Sequence, residues 1–242
     1  MKKIILAAIT FLSVTSGIIA QNVTIPDANF KTYLIGQNLI NTNGDTEIQV
    51  SEANAFTGTI NCSSKNISDL TGIEAFINIK VLECSRNQIT SLDVSNCVKM
   101  IWLFCTSNQL TSIDVSGALS LEGFFCRFNQ LTNIDVSNNL LLEGFHCGNN
   151  QLSSIDVSNN IKLAYFEAAN NQITSIDLST NSDLTQIVIN NNQLTSLNLA
   201  NGNNTNIPSG YFDIRNNPNL LCVNVDVAPL SDVVNEPKPP RV

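Results

Sequence analysis

"CRFNQLTNIDVSNN", residues 126–139, and "CGNNQLSSIDVSNN", residues 147–160, are nearly the same line written twice. In both, a Cys is followed three places later by Asn and two places after that by Leu, and both close on Ile-Asp-Val-Ser-Asn-Asn. Outward from this pair the spacing holds at 21 residues in each direction. Cys84, Cys105, Cys126 and Cys147 form one series, continued by Ala168 and Ile189. Asn87, Asn108, Asn129, Asn150, Asn171 and Asn192 form a second, and Ile89, Leu110, Leu131, Leu152, Ile173 and Leu194 a third. Leu92, Ile113, Ile134, Ile155, Ile176 and Leu197 form a fourth. Six units begin at Ile79, Met100, Leu121, Leu142, Leu163 and Leu184. A degenerate unit precedes them, with Cys62 and Lys65 in the matching places, and a distorted one follows from about Tyr211 to Asn217. Self-similarity at such a period implies stacked units, none of which can bury its apolar face alone.

Within each unit the stretch from the first apolar residue to the Cys alternates apolar and variable positions, as a half-buried strand does. Stacked in parallel at about 4.8 Å per coil, such strands pair their backbones and share one core. The Asn series turns the chain out of the strand, where an amide can satisfy backbone groups of its own coil or the next. The "SIDVS" stretch predicts another short strand on the opposite side, which leaves little room for a helix. Units that read L-x-x-L-x-C-x-x-N-x-L-x-x-I-D-V-S-x-N resemble the leucine-rich repeat in its short form, over roughly residues 57–225. The resemblance implies an α/β-type solenoid that is predominantly β: a right-handed leucine-rich-repeat coil with parallel strands and little convex helix.

The Cys series stands where that family carries an inward Leu. Ala168 and Ile189 take the same place, which points to thiols packed as small apolar core residues. A disulfide stack is the competing reading for an exported chain. In-register side chains suit the bridging dihedral poorly, however, and seven Cys leave one over. A metal stack lacks any Cys-x-x-Cys pair. A further row, Asp93, Asp114, Asp135, Asp156 and Asp177, reads either as a line of cation sites or, as we favour, as a solvated ridge bonding nearby turn amides.

The ends differ from the middle. "MKKIILAAITFLSVTSGIIAQN" has a basic start, an apolar run and small Ala20 before Gln21, the pattern of a secretory signal peptide over residues 1–20. No later stretch is apolar for long enough to span a bilayer. Without Lys2 and Lys3, 10 basic residues face 20 acidic ones, a formal charge of −10. That balance argues against nucleic acid and anionic membrane surfaces as partners. Residues 21–56 do not repeat and can cap the solenoid, with Asp27 starting a helix that carries Phe30, Leu34 and Ile35 at helical spacing. In "NTNGDTEIQVSE", residues 41–52, Asn41, Asn43, Asp45, Glu47, Gln49 and Glu52 fall at the ligand positions of an EF-hand calcium loop. Asn41 replaces the usual first Asp, and Thr46 stands where the turn wants Gly. The segment, with "LTGIEAFINIK" after it, resembles the truncated EF-hand-like cap and first repeat of the internalins, bacterial surface proteins that bind host receptors. In that family the cap is structural and independent of calcium. No cofactor is required, and two readings stay open, a weak Ca2+ site and an empty cap. Beyond the repeats at 57–205, residues 206–230 read as a C-terminal capping repeat and 231–242 as a flexible tail.

On such a solenoid, function belongs to the variable positions of the strand face. These gather Trp102, Phe104, Phe125, Arg127, Phe128, His146, Tyr165 and Glu167, including the only Trp and the only His, in a chain that is 6% aromatic. An aromatic patch with a charged rim suits an interaction surface. The lone His has no paired nucleophile in the sequence, and no phosphate loop or zinc spacing stands out, so the chain reads as noncatalytic. The partner expected is a protein or a cell-surface glycan, met outside the cell or at its surface, with a structural envelope role as the further alternative.

Overall fold

A computed structural model describes residues 21–203 and 207–226. The signal-type segment 1–20 and the tail 231–242 lie outside the described residues, as does part of the closing segment 206–230. The chain forms a parallel β-solenoid. Eight strands stack in sequence order: Thr59–Asn61, Val81–Glu83, Trp102–Phe104, Gly123–Phe125, Gly144–His146, Tyr165–Glu167, Gln186–Val188 and Phe212–Asp213. Each is centred on the inward residue of its repeat, so Leu82, Leu103, Phe124, Phe145, Phe166 and Ile187 lie in register and are fully buried. The rings of Phe124 and Phe145 stack at 5.3 Å between centroids, and the buried Leu, Ile and Cys series complete one continuous core. Among the described residues helix is confined to the N-terminal cap, apart from short 3-10 turns, as α1 (Ala28–Ile35) and α2 (Val50–Ala55). No helix of the described residues is long and apolar enough to cross a membrane.

The Asn series works as a ladder. Asn150 Nδ2 donates to Cys147 O of its own coil at 3.0 Å and to Cys126 O of the preceding coil at 3.1 Å, while its Oδ1 accepts from Leu131 N at 3.0 Å. Asn108, Asn129, Asn171 and Asn192 repeat the pattern, and Asn217 extends it into the distorted last coil. One side chain thus serves three backbone groups where the chain leaves the sheet and cannot use a ladder partner.

On the opposite side the short strand expected of each SIDVS stretch forms in some coils and not in others. Ser91–Asp93 pairs with Ser112–Asp114, and Ser175–Asp177, Ser196–Asn198 and Cys222–Asn224 pair together, but the coils at 133–135 and 154–156 form no strand. The reason is a change of donor. Across the three unpaired gaps, Asn139, Asn160 and Asn181, fully buried, each donate twice from Nδ2 to carbonyls of the preceding coil at 2.9–3.0 Å. Where the first two of these strands do pair, the same column holds Cys97 and Ala118. A second amide ladder therefore replaces backbone pairing in the middle coils.

The buried cysteines, the Cys column and Cys97 alike, pack as core. Cys62, Cys84, Cys97, Cys105, Cys126 and Cys147 are free and buried, and only Cys222 is exposed. Burial pushes the Cys62 and Cys97 thiols up to about 12, and those of Cys84 and Cys126 well above their usual value, so these thiols stay protonated and unreactive. A thiol reagent should therefore label one cysteine of the folded protein and all seven once it is unfolded without reductant. Fewer than seven in the unfolded chain would reveal disulfides.

The Asp row resolves into turn caps. Each of Asp93, Asp114, Asp135, Asp156 and Asp177 accepts from the amide of the Ser two residues on, at 2.9 Å. Hydrogen bonds from Ser137 and Ser179 hold Asp135 and Asp177 below the usual carboxylate range. At the N-terminus, Asp27 caps α1 through Asn29 N and Phe30 N at 2.9 Å, and its other oxygen accepts from Ser68 N at 2.8 Å, pinning the cap to the repeats.

Candidate functional site

The strand face is ordered in columns. Trp102, Gly123, Gly144 and Tyr165 are register partners, as are Phe104, Phe125, His146 and Glu167. Parallel pairing brings rings from successive coils within stacking distance. Phe104 and Phe125 stack at 4.8 Å with an 8° interplanar angle, and Trp102 lies 6.1 Å from the first and 6.0 Å from the second. His146 meets Phe125 edge-on at 4.8 Å. Gly123 makes this possible. A Cβ at Gly123 would collide with the six-membered ring of Trp102, so the indole lies down over a bare backbone. Trp102 remains 38% exposed and Tyr165 50%.

The row ends in a charged group. His146 Nδ1 lies 3.3 Å from Glu167 Oε2, and an Arg127 terminal nitrogen lies 3.2 Å from Glu167 Oε1. Arg127 reaches over an intervening coil whose corresponding residue is Gly148, where a Cβ would sit 3.3 Å from that same Oε1. Phe128 closes the sequence, with the Arg127 guanidinium 5.3 Å from its ring centroid. Seven of the eight predicted residues are thus linked in one row from Trp102 to Phe128, and Tyr165 stands beside it as the register partner of Gly144. Two contributors were absent from the sequence reading: Gly148 and the left-handed backbone of Phe128, at φ 54°.

Burial, opposed by Glu167 and reinforced by Arg127, holds the His146 imidazole below its ordinary value of 6.5. The unfolded chain then binds this proton more readily than the folded one, so His146 favours folding fully above pH 6.5 and less as pH falls through its depressed pKa. Melting temperature should accordingly drop on acidification below that pH, and drop less steeply in a His146→Gln variant. Parallel curves for the two proteins would contradict the assignment.

The EF-hand-spaced residues share one loop, but their polar atoms are already committed. Glu52 accepts from Thr42 N at 2.7 Å, Thr42 Oγ1 at 2.8 Å and Asn43 N at 3.2 Å with one oxygen, and from Gln49 N at 3.0 Å with the other, capping α2. Asn41 Nδ2 donates to Ile35 O and Asp45 O, Asn43 Nδ2 donates to Asp45 Oδ2, and Glu47 pairs with Lys31 at 2.7 Å. The tight turn falls on Gly44 at φ 73°, while Thr46 keeps a negative φ. Among the described residues no group of three or more His, Cys, Asp or Glu is placed to hold a metal ion. These donors are engaged with one another and with backbone groups, and the melting temperature is expected to be the same in millimolar calcium as in chelator. A higher value in calcium would restore the site.

No family model matches the chain, and no curated protein matches it. Solved structures do. The functional domain of InlJ from Listeria monocytogenes, described as including a cysteine ladder, is 21% identical with a TM-score of 0.45, over 86% of this chain and 62% of that one. Internalin C2 from the same organism is 20% identical with a TM-score of 0.49, over 86% of this chain and 98% of its own. A leucine-rich-repeat protein of Leptospira interrogans is 18% identical with a TM-score of 0.53, over 57% of this chain and 38% of that one. This chain therefore spans less than two thirds of the InlJ domain and of the Leptospira protein. The Leptospira structure and the strand order agree on the fold, that of a leucine-rich-repeat solenoid.

Proposed function

We propose that this is an exported, noncatalytic leucine-rich-repeat protein that binds a protein partner at the cell surface or outside the cell through its eight-stranded face. The observation that carries the reading is the aromatic row Trp102–Phe104–Phe125–His146, partly exposed on a fully paired sheet. Aromatic anchors on a rigid, preformed surface lose little ordering entropy on binding, and they are the residue types that dominate interface energies. Arg127 and Glu167 supply a charged rim that orients a partner.

The chemistry beside His146 supports a noncatalytic role. Its contacts are Phe125 and Glu167, and the next residue, Cys147, is buried in the core with its thiol held protonated by desolvation. The internalin resemblance of the cap favours export and surface binding.

Residues 21–242, immobilised and exposed to envelope and extracellular material, should retain a protein that, once purified, binds in the micromolar range or tighter. Recovery of nothing above a control made from an unrelated solenoid would sink the binding reading and leave a structural envelope role.

A further inference from the structure

We infer that the cleft at the N-terminal end of the strand face is a carbohydrate subsite that takes one sugar ring of a glycosylated partner; the inference rests on the binding reading above and adds the chemistry of the ligand. The cleft encloses about 520 Å³ beside the aromatic row, and Glu83, Ser85, Arg86, Phe104, Thr106 and Phe128 are among its walls. Glu83 is held in place by Asn61, whose Nδ2 donates to Oε2 at 2.7 Å. Thr106 Oγ1 donates to Phe125 O at 3.3 Å, which leaves its oxygen to accept. A fixed carboxylate, a guanidinium and several hydroxyls offer the closely spaced donors and acceptors that neighbouring sugar hydroxyls need. Phe104 and Phe128 supply aromatic faces for the C–H side of a ring. An extended peptide fits less well. Val81–Glu83 and Trp102–Phe104, which carry Glu83 and Phe104, are paired on both sides and offer a peptide backbone no free edge.

The backbone gives an independent indication. Arg86 and Phe128, at the rim, hold left-handed conformations at φ 58° and 54°, costly for a long or aromatic side chain. The same place in later coils carries Asn149, Asn170, Asn191 and Asn216 at φ 56°, a residue type that adopts this conformation readily. The chain therefore keeps strained side chains only where they border the cleft, and strain of this kind collects at binding sites.

The test applies residues 21–242 to a glycan array and then titrates the methyl glycoside of the strongest hit, read by saturation-transfer NMR and by emission of Trp102, the only Trp. Arg86→Asn and Phe128→Asn give these coils the residue that later coils carry, so both variants fold, with melting temperatures level with the parent or higher. Each should weaken glycoside binding by about tenfold or more. No hit on the array, or a hit held equally by both variants, overturns the subsite. A partner protein still captured after enzymatic deglycosylation also overturns it, while leaving the proposed function standing.

Discussion

Asn150→Ala is expected to lower stability by roughly 3 kcal/mol, through one orphaned buried N–H and the loss of bonds to three carbonyls, the one to Gly148 O long at 3.4 Å. Leu131 N loses its acceptor, while Cys126 O and Cys147 O each keep one amide donor, from Asn129 and Asn171. For a chain of this size that corresponds to a fall of about 10 °C in melting temperature. The neighbouring Asn149→Ala is the control. Asn149 holds φ 56° and its side chain takes no part in the ladder, so its loss should cost only about 1 kcal/mol for placing Ala in a left-handed conformation. Because a solenoid is stabilised coil against coil, the damage should concentrate around residues 126–150 and appear there as faster amide exchange. Equal effects at positions 149 and 150 would mean that the amide ladder is not what holds the coils together.

The second large effect concerns binding. Trp102→Ala with Phe125→Ala should weaken the captured partner by about a hundredfold or more, since each removes an aromatic anchor at the centre of the face. Both side chains lie on the outer side of the sheet and the inward Leu103 and Phe124 are untouched, so the solenoid should still form. Phe125→Ala alone leaves Trp102 as a fluorescent reporter and should shift its emission toward that of a more hydrated indole, because the ring stacked 6.0 Å from it is gone. Unchanged affinity in the double variant with intact folding would remove the aromatic row from the binding account.

Much of this architecture was legible in the sequence because its cause is local and repeated. A period of 21 fixes which residues are register partners, and alternation fixes which of them face inward; the strands Val81–Glu83 through Gln186–Val188 fall where both signals put them. What escaped the reading is set between coils. Arg127 meets Glu167 across an intervening coil, and the path is open only because Gly148 has no side chain. The break in the second sheet depends on whether a column holds Ala118 or Asn139, a difference that looks minor within one repeat and decides how the next coil is bonded. The EF-hand spacing of residues 41–52 puts alternating polar residues on one loop. Spacing alone does not reveal that Lys31 occupies Glu47 or that Glu52 faces backbone amides. An exposed aliphatic line on the far turns, Val98, Leu119, Leu140 and Ile161, also repeats every 21 residues, and the period alone does not tell an exposed apolar column from a buried one.

That aliphatic line gives the strand-face account a rival surface on the same molecule, and one measurement separates them. Hydroxyl-radical footprinting of residues 21–242, free and bound to the captured partner, reads side-chain protection residue by residue. The account predicts protection at Trp102, Phe125, Phe128 and Tyr165, with Tyr33, Leu119 and Ile161 labelled as in the free protein. Protection of Leu119, Leu140 and Ile161, with Trp102 and Tyr165 unchanged, would contradict it and move the binding surface to the turns.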